Sequence, residues 1–448
     1  MTLRRRAVGR AIGTLVIALA LGACEGLTPD WLGTPEPPPL EGDRISIMLL
    51  DRSLDVDASL AEVPVRLPPP LPTPNWPQSG GVADHAMHHV AAPGPLARAW
   101  RADAGAGSSS DTRILSEPVV ARGVVYALDA EGTVSAIAAD DGRRLWRFDT
   151  TPEDDDDGGV GGGVAFGQGR LFVTTGFGEV LALDGRDGAL LWRRRVGPPL
   201  RAAPSYSQGR VYAVTTDNQL LALASDTGEI LWQHRGIEET AGLLGGASPA
   251  VVPDVVVVAY SSGEIYALRV ENGSVAWTDS LSYANAAQSL GAINDINGNP
   301  VIDRGRVFAS SYGGRLAALD LRAGVVVWDV EMSSVQTPWV AGDFLYVVDD
   351  EDVLYCLSWQ EGRVRWLTEL PRWDDPDDHS DPIAWTGPIL AGDRLLLAGT
   401  NGHVLAVSPY TGAILGRIDL GEGIDVAPIA ADGTVYLLTQ AADLYALR

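Results

Sequence analysis

Residues 180–192 read Val-Leu-Ala-Leu-Asp-Gly-Arg-Asp-Gly-Ala-Leu-Leu-Trp. An apolar strand ending at Ala182-Leu183 meets a turn holding Gly188, and a second strand follows with Trp192 four residues beyond that glycine. The Gly-to-Trp spacing of four recurs at Gly142/Trp146, Gly228/Trp232, Gly273/Trp277, Gly324/Trp328 and Gly362/Trp366. The Ala-Leu element recurs at Ala136-Ile137, Ala222-Leu223, Ala267-Leu268, Ala318-Leu319, Cys356-Leu357, Ala406-Val407 and Ala446-Leu447, so there are eight copies. Their period lies near 44 residues, and each unit runs small-Pro, turn Gly, Val-Tyr-Ala-like strand, turn, Ala-Leu strand, Gly, Trp. Four short strands at that period are the signature of a β-propeller.

The fold class expected is therefore all-β, an eight-bladed propeller, with seven blades and one irregular repeat as the alternative. The predicted structural tryptophans are Trp100, Trp146, Trp192, Trp232, Trp277, Trp328 and Trp366. An indole at a fixed offset can fill the wedge between blades and offer its N–H to a backbone carbonyl. The seventh unit keeps Gly412 but has Gly416 where the Trp is due. In the last unit the Trp would fall beyond Arg448, while Trp100 has no Ala-Leu strand before it. The N-terminal strand around Trp100 is thus expected to complete the last blade and close the ring.

Upstream of the array the reading changes. Arg4, Arg5, Arg6 and Arg10 precede an apolar run, Ala11–Leu21, too short to span a bilayer and suited to a signal peptide. The run ends in Leu21-Gly22-Ala23-Cys24, which resembles a lipobox. Residues 1–23 are expected to be removed, Cys24 acylated, and the net charge of −25 to become −29. Glu25 at the next position favours the outer over the inner membrane. Residues 24–95, with prolines at 37–39, 68–70, 72 and 74, read as an extended tether, and 96–448 as the propeller. An acidic chain with 58 Asp+Glu against 33 Lys+Arg is no partner for nucleic acid.

These repeats resemble the pyrroloquinoline-quinone-type propellers, and two stretches narrow the likeness. Gly298-Asn299-Pro300-Val301-Ile302 with Gly305-Arg306-Val307-Phe308-Ala309, and the upstream Asn75-Trp76-Pro77-Gln78-Ser79-Gly80-Gly81, are similar to the BamB family. The resemblance implies a lipid-anchored scaffold without chemistry or cofactor on the periplasmic face of the outer membrane. It also implies a partner, the barrel-forming subunit of the outer-membrane assembly machinery, and unfolded outer-membrane proteins as clients. The partner-facing loops it implies are Ala241-Gly242-Leu243-Leu244 and Asp295-Ile296-Asn297. This chain departs from the family at both, with Leu244 in place of a basic residue and Asn297 in place of a second acid. Leu243, Leu244 and Ile296 suit either an exposed docking patch or buried loop anchors.

Other chemistry is poorly supported by residue type. A quinone-dependent dehydrogenase resembles the blades but carries vicinal cysteines, whereas Cys356 is alone in the body and stands at a core Ala position. A channel mouth that binds peptidoglycan, sugar or peptide is a third reading. Asp295-Ile296-Asn297-Gly298-Asn299 lacks the glycine and glutamate of a calcium loop, since Pro300 and Arg306 occupy those positions. His85, His88 and His89 are expected on the surface, with no metal partner. The acidic runs 154–157, 349–352 and 374–381 read as solvated loops.

Overall fold

The computed structural model describes residues 54–92, 94–153, 159–239, 242–282 and 293–448. The signal segment, Cys24, Ala241 and the acids 154–157 lie outside the described residues. Eight four-stranded antiparallel sheets follow one another along the chain. Blades 1 to 7 span 119–149, 162–195, 205–235, 250–280, 301–331, 339–369 and 385–419. Blade 8 takes three strands from 429–447 and its fourth from Arg98–Asp103. Trp100 pairs with Ala446, and Ala97 and Arg448 exchange backbone hydrogen bonds of 2.8 and 2.9 Å. The ring is closed by the N-terminal strand, as the missing tryptophan required.

In blade 1 the two middle strands are almost wholly buried and the outer strand is the exposed one. One row across the sheet explains the repeat. In blade 1 it runs Tyr126, Ala136, Trp146, and in blade 8 it runs Tyr436, Ala446, Trp100. The alanine leaves space for two large rings to meet above it. Tyr126 and Trp146 approach to 5.8 Å, Phe172 and Trp192 to 6.2 Å, and Tyr436 and Trp100 to 5.9 Å. Cys356 takes this row position in blade 6, buried opposite Trp366, and burial pushes its thiol well up, which keeps it unreactive.

Each tryptophan then reaches into the following blade. The indole N–H of Trp100 donates to Ala139 O at 3.1 Å, Trp232 to Val270 O at 2.9 Å and Trp277 to Leu321 O at 2.7 Å. The ring lies against that blade's turn glycine: Trp100 on Gly142, Trp146 on Gly188, Trp192 on Gly228 and so on to Trp366 on Gly412. These seven glycines have φ between +67° and +75°, and a Cβ on any of them would lie 2.5–2.8 Å from a ring atom. The Gly and the Trp four residues apart therefore serve two different seams. Gly416 follows from the same geometry. Blade 8 has no turn joining its third and fourth strands, so a tryptophan on blade 7 would have no glycine to cover.

Residues 54–92 depart from the expected tether. Val56 pairs with Val364 on the outer edge of blade 6, and hydrogen bonds from Ser59, with Arg363 at 2.9 Å, hold the Asp57 carboxyl down at about 2. Residues 73–90 then make at least one hydrogen bond to every blade, at or just after its first strand. Asp432 N donates to Thr73 O, Val120 N to Trp76 O, Phe166 N to Pro77 O and Tyr206 N to the Gln78 side chain. Val251 N donates to Ala83 O, Ile302 N to Asp84 O, the Trp339 indole to His88 O, and Val90 N to Leu390 O. First strands surround the axis, so a segment that touches all eight must encircle it. The free inner edges of the sheets are capped in this way, and Trp76 is stacked on Trp339 at 6.2 Å. Proline suits this path because its carbonyl accepts while it has no N–H to bury unpaired.

The seam makes a stability prediction. Trp100→Ala removes ring contact with Gly142 and Tyr436 and the bond to Ala139, and is expected to lower stability by about 3 kcal/mol. Trp100→Phe, which keeps much of the ring but not the N–H, is expected to lose about 1 kcal/mol. Thermal unfolding of both variants checks the order: equal losses would refute the ring's contribution, and an unchanged Trp100→Phe would refute the bond's.

Candidate functional site

Three successive interblade loops meet at one place on the ring. The loop from blade 2 to blade 3 supplies Arg201, the next supplies 242–246, and the next supplies Asp295 to Asn297. Asp295 Oδ2 accepts from Leu243 N at 2.8 Å and from Arg201 at 3.2 Å, while Arg201 also donates to Leu243 O at 3.1 Å. Asn297 Nδ2 donates to Leu244 O at 2.9 Å. Cβ atoms on Gly242 and Gly246 would fall 2.7–2.8 Å from Arg201, so these glycines let the guanidinium lie under the loop.

The two predicted partner-facing stretches are thus brought together, and the five residues separate by burial. Leu244 is 64 % exposed. Leu243 and Asn297 are half-buried. Asp295 and Ile296 are each 1 % exposed, and Ile296 packs in the core with Ala247, Leu281 and Ile302. The exposed-patch expectation therefore holds for Leu244 and fails for Ile296, which is a loop anchor. Burial raises the Asp295 carboxyl above its ordinary range despite Arg201, because desolvation outweighs one ion pair. Arg201 was missed in the sequence, where it is one arginine among many.

Beside these loops the axis of the ring opens into a cavity of about 250 Å³. The residue before each repeat proline lines it: Glu117, Ala203, Ser248, Asn299, Thr337, Gly387 and Ala427. Blade 2 lacks such a proline; in the other seven blades the small-Pro phrase sets one residue at the axis. Trp76, Ser79, Gly80 and His85 of the encircling segment also line it. His85 and His89 are 3 % and 1 % exposed, which corrects their surface expectation. His85 Nδ1 meets Pro300 O at 2.7 Å and must donate there, and burial holds the ring down at about 4, hence neutral. Burial pushes the Glu117 carboxyl up to about 7. Gly80 N donates to it at 3.3 Å, and the Trp76 indole N–H faces it without closing a hydrogen bond.

The acids at 374–381 lie in or beside an exposed two-stranded hairpin, Trp373–Asp375 with Ser380–Pro382, inserted between blades 6 and 7. Asp349 instead caps a tight turn of blade 6 through Glu351 N and Val353 N. No group of three or more His, Cys, Asp or Glu side chains suited to a metal occurs among the described residues. No described helix is long and apolar enough to cross a membrane.

Two measurements test this geometry. Asp295→Ala leaves Arg201 without its counter-charge and is expected to cost about 3–5 kcal/mol, with Asp295→Asn less harmful. Glu117 binds its proton more tightly folded than unfolded, so its contribution to stability falls as pH rises from about 4.5 to about 7 and is constant above. Glu117→Gln lacks that fall. The melting temperature of the variant minus that of the parent is expected to rise across this window and then level off, and a flat difference would refute the assignment.

The family profile described as outer membrane protein assembly factor BamB matches residues 97–157 and 130–368. BamB of Escherichia coli (strain K12) is 34 % identical over 353 residues, covering 77 % of this chain and 86 % of that protein. BamB of Alkalilimnicola ehrlichii is 33 % identical over 350 residues, covering 78 % and 87 %. Among solved structures, BamB from Moraxella catarrhalis superposes with a TM-score of 0.67 at 20 % identity, over 79 % of this chain and 100 % of that one. Quinohemoprotein alcohol dehydrogenase from Comamonas testosteroni reaches 0.64 at 15 % identity, over 88 % and 82 %, and at such identity both likenesses concern the fold alone. The match in sequence over most of its length, on a closed eight-bladed ring, makes this chain a member of the BamB family.

Proposed function

We propose that the chain is a non-catalytic accessory lipoprotein of the outer-membrane β-barrel assembly machinery. In this reading Cys24 carries the lipid that holds it on the periplasmic face of the outer membrane. The loops around Asp295 dock on the periplasmic domain of the barrel-forming subunit, and the docked propeller assists insertion of outer-membrane proteins. The observation that carries the reading is the paired loop itself. Asp295 and Arg201 tie the backbone at Leu243 and so hold a small surface rigid, with Leu244 raised out of it at 64 % exposure. Little ordering entropy is then lost on docking.

The two departures from the family fit a contact of altered chemistry. Asn297 is spent on Leu244 O, and the Arg201 guanidinium is spent on Asp295. What this face offers a partner is accordingly apolar and backbone surface more than charge. A quinone-dependent dehydrogenase is the weaker reading. The only cysteines, Cys24 and Cys356, are far apart in sequence, and the axial cavity is below the roughly 300–1,000 Å³ of most ligand clefts.

Leu244→Asp tests the proposal without disturbing the core, because the side chain is exposed. It is expected to weaken capture of the barrel-forming subunit from detergent-solubilised envelopes at least tenfold, with unchanged thermal stability. Undiminished capture would overturn the docking surface, and recovery of a quinone chromophore in place of that subunit would favour the enzyme.

A further inference from the structure

The axial cavity has a chemical character of its own. Its charged lining groups are Glu117 and Asp425, both acidic, and among the described residues no Arg or Lys lines it. Glu117 is the one charged member of the pre-proline ring, which elsewhere carries small or neutral residues. Two further acceptors there lack donors. His85 gives its only N–H to Pro300 O, so Nε2 presents a lone pair, and that atom is buried without a partner. Asn297 donates through Nδ2 to Leu244 O, which fixes the amide, and its buried Oδ1 is likewise unpartnered. By contrast Asn299 is fully engaged, accepting from Ser248 N at 2.7 Å and donating to Ser79 Oγ at 3.0 Å. Buried acceptors without donors are costly and are normally matched.

The cavity also has a direction. Residues 73–90 bind at or beyond the first strands and supply its lining at Trp76, Ser79, Gly80 and His85, whereas Leu244, Gly245 and Asn297 border it from the docking loops. We propose that this cavity receives a basic side chain, a guanidinium or an amine, from a polypeptide lying on the docking-loop face. Glu117 is its counter-ion, and His85 Nε2 and Asn297 Oδ1 are additional acceptors. Apart from the Trp76 indole N–H, which faces Glu117, the unmatched groups are acceptors, and they select a donor-only guest, which an arginine or a lysine is and an acid is not. The volume of about 250 Å³ suits one side chain better than a cofactor. Asp425, exposed and held by Gln440 at 2.7 Å, adds negative potential beside the cavity.

The proposal deepens the docking reading but does not depend on which subunit docks. The probe is N-acetyl-Gly-Arg-Gly-amide, with the citrulline peptide as its uncharged isostere, titrated calorimetrically into the mature protein at low salt. Saturable one-to-one binding of the arginine peptide is expected, at least tenfold tighter than the citrulline peptide. Glu117→Gln is expected to abolish that preference, and Asp425→Asn, a surface change that leaves the fold alone, to weaken arginine binding severalfold. Near-ultraviolet circular dichroism checks that Glu117→Gln keeps its tertiary packing. No saturable binding, equal affinity for the two peptides, or parent-like binding by Glu117→Gln would overturn the proposal. Failure here with intact capture of the barrel-forming subunit would leave the docking surface standing and remove only its charged anchor.

Discussion

The structure depends on one contact repeated seven times, an indole of one blade laid on the turn glycine of the next. A blade exposes two apolar faces and cannot bury either alone. The indole covers the glycine, donates to a nearby carbonyl and, in every blade that carries it except the fourth, meets an aromatic ring of its own blade over a small residue. Three residue types, Trp, Gly and Ala, are thereby fixed by a single wedge. Any Cβ on the glycine would enter the ring, and the row position between the two aromatics takes only a small residue, Ala or, in blade 6, Cys356. Because each seam involves two blades, stability is shared around the circle, and the blade split between the two ends of the chain is the natural weak point.

A propeller leaves a second problem, the unpaired inner edges of its first strands. Here the chain solves it with its own upstream segment, which gives carbonyls to the inner strands as it circles the axis. The same segment narrows the channel to a cavity and places His85 and Trp76 on its wall. Glu117 consequently sits among protein atoms while keeping part of its surface open, and this explains a carboxyl raised to about 7 within reach of a ligand. The loops around Asp295 and the cavity are neighbours, since Leu244, Gly245 and Asn297 also line it.

How much was legible differs by element. The blade count, the closing role of Trp100 and the wedge role of the other tryptophans could be read directly, since a propeller writes each seam as a fixed local spacing. The prolines of 54–92 carried a local message of extension, and that message is correct. They said nothing of burial, because an extended strap lying on a protein and one lying in water have the same backbone preferences. For the same reason His85 and His89 were misplaced. Ile296, apolar in a loop, could be either patch or anchor until the packing around it was known.

The amino-acid order by itself determined the eight blades and the identity of the latch strand, because each rests on periodicity or on a fixed spacing. Only the tertiary structure decided that Arg201 braces those loops, that Leu244 is the residue they expose, and that Glu117 and His85 share one cavity. Those contacts join residues about 40 to more than 200 positions apart across a closed circle. Nothing in a local spacing encodes such distances, since they are set by where the ring brings each blade to the axis.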